Sequence, residues 1–338
     1  MTQPVTQPVT QPLTQPYDPE LAPWAPVFAQ LSFADIPAAR AGEADLLAAL
    51  PPYDPPVPLE VDELLIPGPE DAPEVRVRRY RPVLRDAALP GLVYFHGGGF
   101  VVGSLDLYDT DCRRIAAEVE AVVVSVDYRL APEHQFPAGL EDCYAALVWV
   151  AEHAAELGVD PDRIAIGGES AGGGLAAGVA LLARDRSGPS LCLQVLSIPE
   201  LDDRMDSDSM HTLGAQAIPV TTLANGEISW DSYLGAGMRG TDQVSPYAAP
   251  ARATDLTGLP PALVTAYELD ALRDEDIAYA QRLMASGVPT ELHVYRGAFH
   301  SCTWLSQAGI CQKILADLID TLRLRLHAPE PEAVEEVA

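Results

Sequence analysis

Ser170 stands in the run Gly168-Glu169-Ser170-Ala171-Gly172, a residue type and spacing that could supply a nucleophile. A serine on a sharp strand-to-helix turn needs small residues two positions to either side, because Cβ atoms there would collide with neighbouring elements. Gly168 and Gly172 meet that need. An apolar run (163–166) precedes the turn and an apolar helical pattern (171–184) follows it, so N–H groups at the helix start face any oxyanion formed beside the serine. The competing reading of the pentapeptide is a glycine-rich helix start with an incidental serine. A second pattern weighs against it: His96-Gly97-Gly98-Gly99-Phe100 follows another apolar run, 92–95. Consecutive glycines let a backbone turn its amides into a cavity, where they serve as oxyanion donors. A phosphate-binding loop fails on pattern, because no Gly-Lys-Ser/Thr follows and the chain's only lysine is Lys313. His96 itself reads as a hydrogen-bond partner that fixes the loop.

A nucleophilic serine needs a base, and the base needs an orienting carboxylate. In α/β-hydrolases these follow in the chain order Ser, Asp or Glu, His, each after a late strand. Asp270 lies just past the apolar run 262–265, and His300 just past the run 291–295. Among rival bases, His293 falls inside a strand pattern and His153 on a helix, while His134, His211 and His327 have no partner visible in sequence. Asp274, Glu275 and Asp276 read as the acidic first turn of the next helix, where the dipole favours negative charge.

These groups need a scaffold, and the hydrophobic pattern supplies one. Short apolar runs (74–80, 92–95, 121–126, 163–166, 191–196, 262–265, 291–295) alternate with helix-length patterns (109–120, 139–157, 171–184, 274–286, 311–326). Such alternation predicts an α/β fold with a mostly parallel sheet and helices on both faces. Residues 61–66 and 74–80, joined by a Gly/Pro turn at 67–69, read as an antiparallel hairpin leading into it. The domain expected for catalysis spans 59–327. Only 200–240 breaks the rhythm, as an excursion over the active face. Ahead of the domain, 17–58 holds two proline-interrupted helical stretches, 21–31 and 37–50. Residues 1–16, a Thr-Gln-Pro repeat, read as a disordered tail, and 328–338 as an acidic frayed one.

The chain has 338 residues, with 21 Lys and Arg against 49 Asp and Glu, a formal charge of −28. So few cations argue against nucleic-acid and anionic-membrane partners. Adaptation to high salt is one reading of the acidity, an ordinary well-solvated surface the other. Arg76, Arg78, Arg79 and Arg81 form the one local basic cluster and read as counter-charge on an edge strand. Five scattered cysteines without a C-x-x-C pair read as reduced packing thiols. No apolar run approaches the roughly 18 residues of a membrane span, and the N-terminus lacks a signal-peptide pattern, so a cytoplasmic protein is expected.

Together the motifs resemble the hormone-sensitive-lipase-like α/β-hydrolases, the bacterial family IV carboxylesterases, over residues 55–326. Besides His96-Gly97-Gly98-Gly99 and the serine pentapeptide they include the run Asp127-Tyr128-Arg129-Leu130-Ala131-Pro132-Glu133-His134, then Leu201-Asp202-Asp203-Arg204 and Trp230 with Tyr233-Leu234-Gly235. Asp270 with Leu272-Arg273-Asp274-Glu275, and His300, complete the set. The resemblance implies an α/β-hydrolase fold with a small helical cap built from 17–58 and 200–240. It makes Ser170 the nucleophile, His300 the base and then acid, and Asp270 its orienter. Gly98, Gly99 and Ala171 would donate to the oxyanion, with Gly97 shaping the loop. No metal or organic cofactor is implied, and the partner is a small ester. The protein is expected as a monomer or a homodimer joined through the edge strand between Glu291 and Tyr295.

Three positions depart from the family pattern: Glu169 for Asp or Thr, Ile198 for an aromatic residue, and Ser301-Cys302 for Gly-Phe. The expected activity is hydrolysis of short- to medium-chain acyl esters through an acyl-serine. The alternatives are an amidase, lactonase or N-formyl hydrolase with the same triad, or a non-catalytic small-molecule receptor on this fold.

Overall fold

Each apolar run rich in β-branched residues becomes a strand of one eight-stranded sheet. In chain order these are β1 (Leu59–Ile66), β2 (Val75–Pro82), β3 (Leu89–Phe95), β4 (Val122–Asp127), β5 (Val159–Glu169), β6 (Leu193–Ser197), β7 (Ala262–Tyr267) and β8 (Thr290–Tyr295). Their spatial order is β1-β2-β4-β3-β5-β6-β7-β8. β2 runs antiparallel to both its neighbours, and every other pair is parallel. The computed structural model describes residues 16–49, 52–70, 72–83, 88–216 and 218–327. The expected Thr-Gln-Pro tail (1–16, but for Pro16) and acidic tail (328–338) lie outside the described residues.

The helices are α1 (Ala25–Phe28), α2 (Ile36–Ala41), α3 (Glu43–Ala49), α4 (Asp109–Val119), α5 (Ala138–Glu152), α6 (Ala154–Leu157), α7 (Ala171–Asp185), α8 (Asp208–Thr212), α9 (Leu223–Leu234), α10 (Arg273–Ala285) and α11 (Gly309–Leu326). Strand side chains alternate between two cores, as a period of two requires. Val93, Phe95, Val124 and Ile166 pack with α5, α7 and α10, while Leu92, Tyr94, Val123 and Ala165 pack with α4 and α11. Both faces are therefore covered, which is why the central strands are mostly apolar.

Several expectations need correction. The basic cluster lies on β2, one strand in from the edge, because the hairpin folds β1 outside it. Its role as counter-charge stands: Glu63 sits opposite Arg78, Asp62 opposite Arg79 and Glu60 opposite Arg81 in the register, each as an ion pair. The hairpin connection is longer than a tight turn, since β1 ends at Ile66 and β2 starts at Val75. The stretch 21–31 keeps only one α-helical turn, α1, because Pro23 and Pro26 withhold amide donors. The stretch 37–50 divides at Gly42 into α2 and α3, with Leu50 outside the described residues.

The N-terminal segment and the 200–240 excursion meet above the sheet. Asn225 of α9 accepts from the Phe33 N–H at 3.0 Å and donates to Leu31 O at 2.9 Å. Arg40 of α2 donates to the carbonyls of Val101 and Ala131 and pairs with Glu133. Residues 17–31 pack against the loop after β8: Leu21, Ala25 and Phe28 share a core with Phe299 and Cys302. The five cysteines are free thiols.

The excursion is anchored by Asp203, wholly buried, whose carboxylate takes the Gly240 N–H at 2.7 Å and an Arg252 Nη2–H at 2.9 Å. Removing one partner of a buried pair strands the other charge, a loss of about 3–5 kcal/mol. Arg252→Ala is therefore expected to lower the denaturant midpoint sharply in urea unfolding. A midpoint near that of wild type would show that the pair is dispensable.

Candidate active site

β5 ends at Glu169 and α7 begins at Ala171, so Ser170 alone makes the turn. Its φ of 57° and ψ of −122° place a side-chain-bearing residue in a strained region that only its surroundings can impose. A Cβ on Gly168 or Gly172 would run into the Phe95 carbonyl oxygen at the end of β3, which explains both glycines of the pentapeptide.

The loops after β7 and β8 bring the other two groups to this turn. The Ser170 hydroxyl donates to His300 Nε2 at 2.8 Å, and His300 Nδ1–H donates to Asp270 Oδ2 at 2.6 Å. The second Asp270 oxygen accepts from the Thr221 hydroxyl at 2.8 Å and the Leu272 N–H at 3.0 Å. Burial is the largest influence on His300 and opposes its charged form. The Asp270 carboxylate, with help from Glu169 and Glu200, outweighs it and holds the imidazole above its usual range.

Three backbone N–H groups beside Ser170 owe their direction to pinned carbonyls. In a trans peptide the C=O and the following N–H point oppositely, so anchoring one aims the other. Gly97 O accepts from His96 Nδ1–H at 2.9 Å, which aims the Gly98 N–H. Gly98 O accepts from Val101 and Val102, which aims the Gly99 N–H. Ser170 O accepts from Gly174 and Glu200, which aims the Ala171 N–H. Among the described residues none of these three N–H groups has a protein acceptor. Gly97 has no room for a Cβ beside the Tyr108 hydroxyl and the Glu169 carbonyl, and Gly98 and Gly99 have φ of 123° and 56°. His96 is buried, stacked at 4.2 Å on Tyr128, whose hydroxyl bonds its carbonyl. Burial lowers the His96 pKa, so the ring is a neutral prop.

Two departures from the family pattern touch each other. The Ser301 hydroxyl donates to Glu169 Oε1 at 3.2 Å, with Tyr108 a further donor at 3.4 Å. Burial raises the Glu169 pKa against these bonds and the nearby His300. Ile198, the third, has a φ of 43° and is held by bonds from its N–H to Thr265.

Ser170 and His300 open on a cavity of about 280 Å³. Its walls come from the N-terminal segment (Phe33, Ala39, Leu46), the excursion (Met210, Val220, Trp230) and the loops after β3 and β8 (Val102, Trp304). The rival histidines stand apart from it: His293 bonds Glu291 and the Tyr295 hydroxyl, and His153 bonds Trp149 O. Glu275 proves more than an acidic first turn, accepting the Leu201 and Asp202 N–H groups from a buried position. Sequence reasoning missed Thr221, Ser229, Glu200 and Tyr108. All but Tyr108 sit in the patternless excursion, and no spacing links any of them to Ser170.

Among the described residues no three His, Cys, Asp or Glu side chains converge as metal ligands would, and no helix is long and apolar enough to cross a membrane.

A family model described as alpha/beta hydrolase fold matches residues 92–304. The carboxylic ester hydrolase LipN of Mycobacterium tuberculosis is 40% identical over 280 residues, 81% of this chain and 72% of that protein. An arylesterase of Saccharolobus solfataricus is 40% identical over 232 residues, 68% of this chain and 72% of that one. Among solved structures, a bacterial heroin esterase superposes with a TM-score of 0.87 at 42% identity, covering 92% of this chain and 98% of its own. An esterase of the archaeon Pyrobaculum calidifontis gives 0.82 at 37% identity, with 91% and 98% covered. With its eight-stranded, mostly parallel sheet and these relatives, the chain belongs to the α/β-hydrolase family, in its hormone-sensitive-lipase-like carboxylesterase branch.

Proposed function

We propose that this serine carboxylesterase works through Ser170 as nucleophile, His300 as general base and acid, and Asp270 as the group that orients His300. The observation that carries the reading is the continuous chain from the Ser170 hydroxyl through His300 to Asp270, opening on one cavity. His300 takes the serine proton as Oγ attacks the ester carbonyl, then returns it to the departing alkoxide, leaving an acyl-serine. Water repeats the cycle and releases the acid. The Gly98, Gly99 and Ala171 N–H groups receive the negative oxygen of each tetrahedral intermediate, already aimed before substrate arrives. The N-terminal helices and the 200–240 excursion act as the cap.

The preferred acyl group is short to medium. A compact cavity of about 280 Å³, walled on its N-terminal side by helices of only six and seven residues (α2 and α3), supports this reading. Each added methylene gains up to ~0.8 kcal/mol of burial while room lasts. With p-nitrophenyl esters from acetate to palmitate, kcat/KM is expected to peak between about two and eight carbons and then collapse. A value still rising at palmitate would contradict this reading, and absence of hydrolysis throughout would remove the triad assignment.

A further inference from the structure

We propose that Glu200 is a specificity-determining carboxylate that favours esters bearing an ammonium group over uncharged esters of the same shape. The inference rests on the acyl-serine reading, since it concerns the same cavity. Glu200 follows β6, and its N–H donates to Ser170 O at 3.0 Å, which fixes it beside the nucleophile. Its side chain, 5% exposed, lines the cavity with Ser170 and His300. Oε1 lies 2.8 Å from the Ser229 hydroxyl, whose single proton it shares with the Gly99 carbonyl at 2.9 Å, while Oε2 has no hydrogen-bond partner among the described residues and keeps some exposure.

No permanent cation among the described residues answers this carboxylate, and the one cationic form facing it is that of His300 when protonated. Among the described residues no Lys or Arg lines the cavity, and the other carboxylate on its wall, Glu43, is already engaged by the Gly103 N–H and the Ser104 hydroxyl. The titratable groups facing Glu200 are His300 and Asp270 across the site, Glu275 at the start of α10, and the phenols of Tyr128 and Tyr233. A carboxylate taken out of water without a partner is costly, and a ligand cation would supply the missing partner where Coulomb attraction is strong. Phe33 and Trp230 line the same cavity, and aromatic rings attract cations. Burial pushes the Glu200 pKa up to about 7, so its negative charge grows between pH 6 and 8.

Acetylcholine and its carbon isostere 3,3-dimethylbutyl acetate test this. They share one shape, and the permanent charge of the first leaves only the protein to titrate. The readout is the ratio of their kcat/KM values, in which any slowing common to both esters, such as His300 protonation, cancels. Glu200→Gln keeps an oxygen for Ser229 and removes the charge. It is expected to lower the ratio about tenfold or more at pH 8, and the wild-type ratio to fall about threefold or more from pH 8 to 6. A ratio equal within about twofold in the two proteins overturns the proposal. Should the variant not fold, a wild-type ratio that is flat with pH overturns it. Hydrolysis of the neutral ester with an unresponsive ratio sinks this inference alone. Hydrolysis of neither ester sinks the acyl-serine reading with it.

Discussion

Replacing Ser170 by alanine is expected to cut kcat for a short acyl ester about 10⁶-fold while leaving the fold intact. The hydroxyl is the only part of the residue lost, and its partner is His300 Nε2. Alanine keeps the Cβ, so the turn at φ 57° is neither relieved nor further strained. One neutral hydrogen bond is worth about 0.5–1.5 kcal/mol, so the melting temperature should move by no more than about 4 °C. The N–H groups of Gly98, Gly99 and Ala171 belong to the backbone and survive the change. The variant should therefore retain a residual rate some 10³–10⁴ above water alone. It should also form no acyl-enzyme, visible by mass spectrometry as a missing acetyl adduct on a quenched reaction. Activity within about tenfold of wild type would remove Ser170 as the nucleophile.

The second large effect is that of His300, read through pH. His300→Gln should be comparably inactive, because no other imidazole reaches the serine. In the wild type the imidazole must be neutral to accept the serine proton, so kcat/KM falls about tenfold per pH unit below its pKa. Because Asp270 and the neighbouring carboxylates hold that pKa above the usual imidazole range, the acid limb should lie above about 6.5. Asp270→Asn removes the strongest influence favouring imidazolium and leaves burial, which opposes it. The limb should then move to lower pH while kcat drops about 10⁴-fold, the ring having lost its orienter. A limb that stays in place after Asp270→Asn would assign the titration to another group, with Glu200 the first to examine.

The pattern of the chain foretold all eight strands, because branched apolar runs of four to eight residues bounded by turn residues have few other homes. Errors clustered where proline and glycine decide local geometry. Pro23 and Pro26 cut a helical pattern to one turn, and Gly42 divided another. Placing the arginine cluster on an edge strand failed because sequence order does not say which hairpin strand lies outermost.

Sequence alone determined the elbow, the glycine loop, and the candidates Asp270 and His300. Each depends on local rules: a turn that tolerates only glycine at two positions, and side chains delivered just beyond strand ends. Tertiary structure alone decided what those groups touch. Thr221 reaches Asp270 across 49 positions of chain, Ser301 reaches Glu169 across 132, and Ser229 reaches Gly99 across 130. The charge character of the cavity was equally hidden. Glu200 reads in sequence as one of 49 acidic residues on a well-solvated protein, and only packing withdraws it from water and leaves it, among the described residues, with no Lys or Arg on the cavity wall. Covalent spacing fixes which atoms a turn can present, whereas desolvation and pairing depend on neighbours that the chain brings together only when it folds.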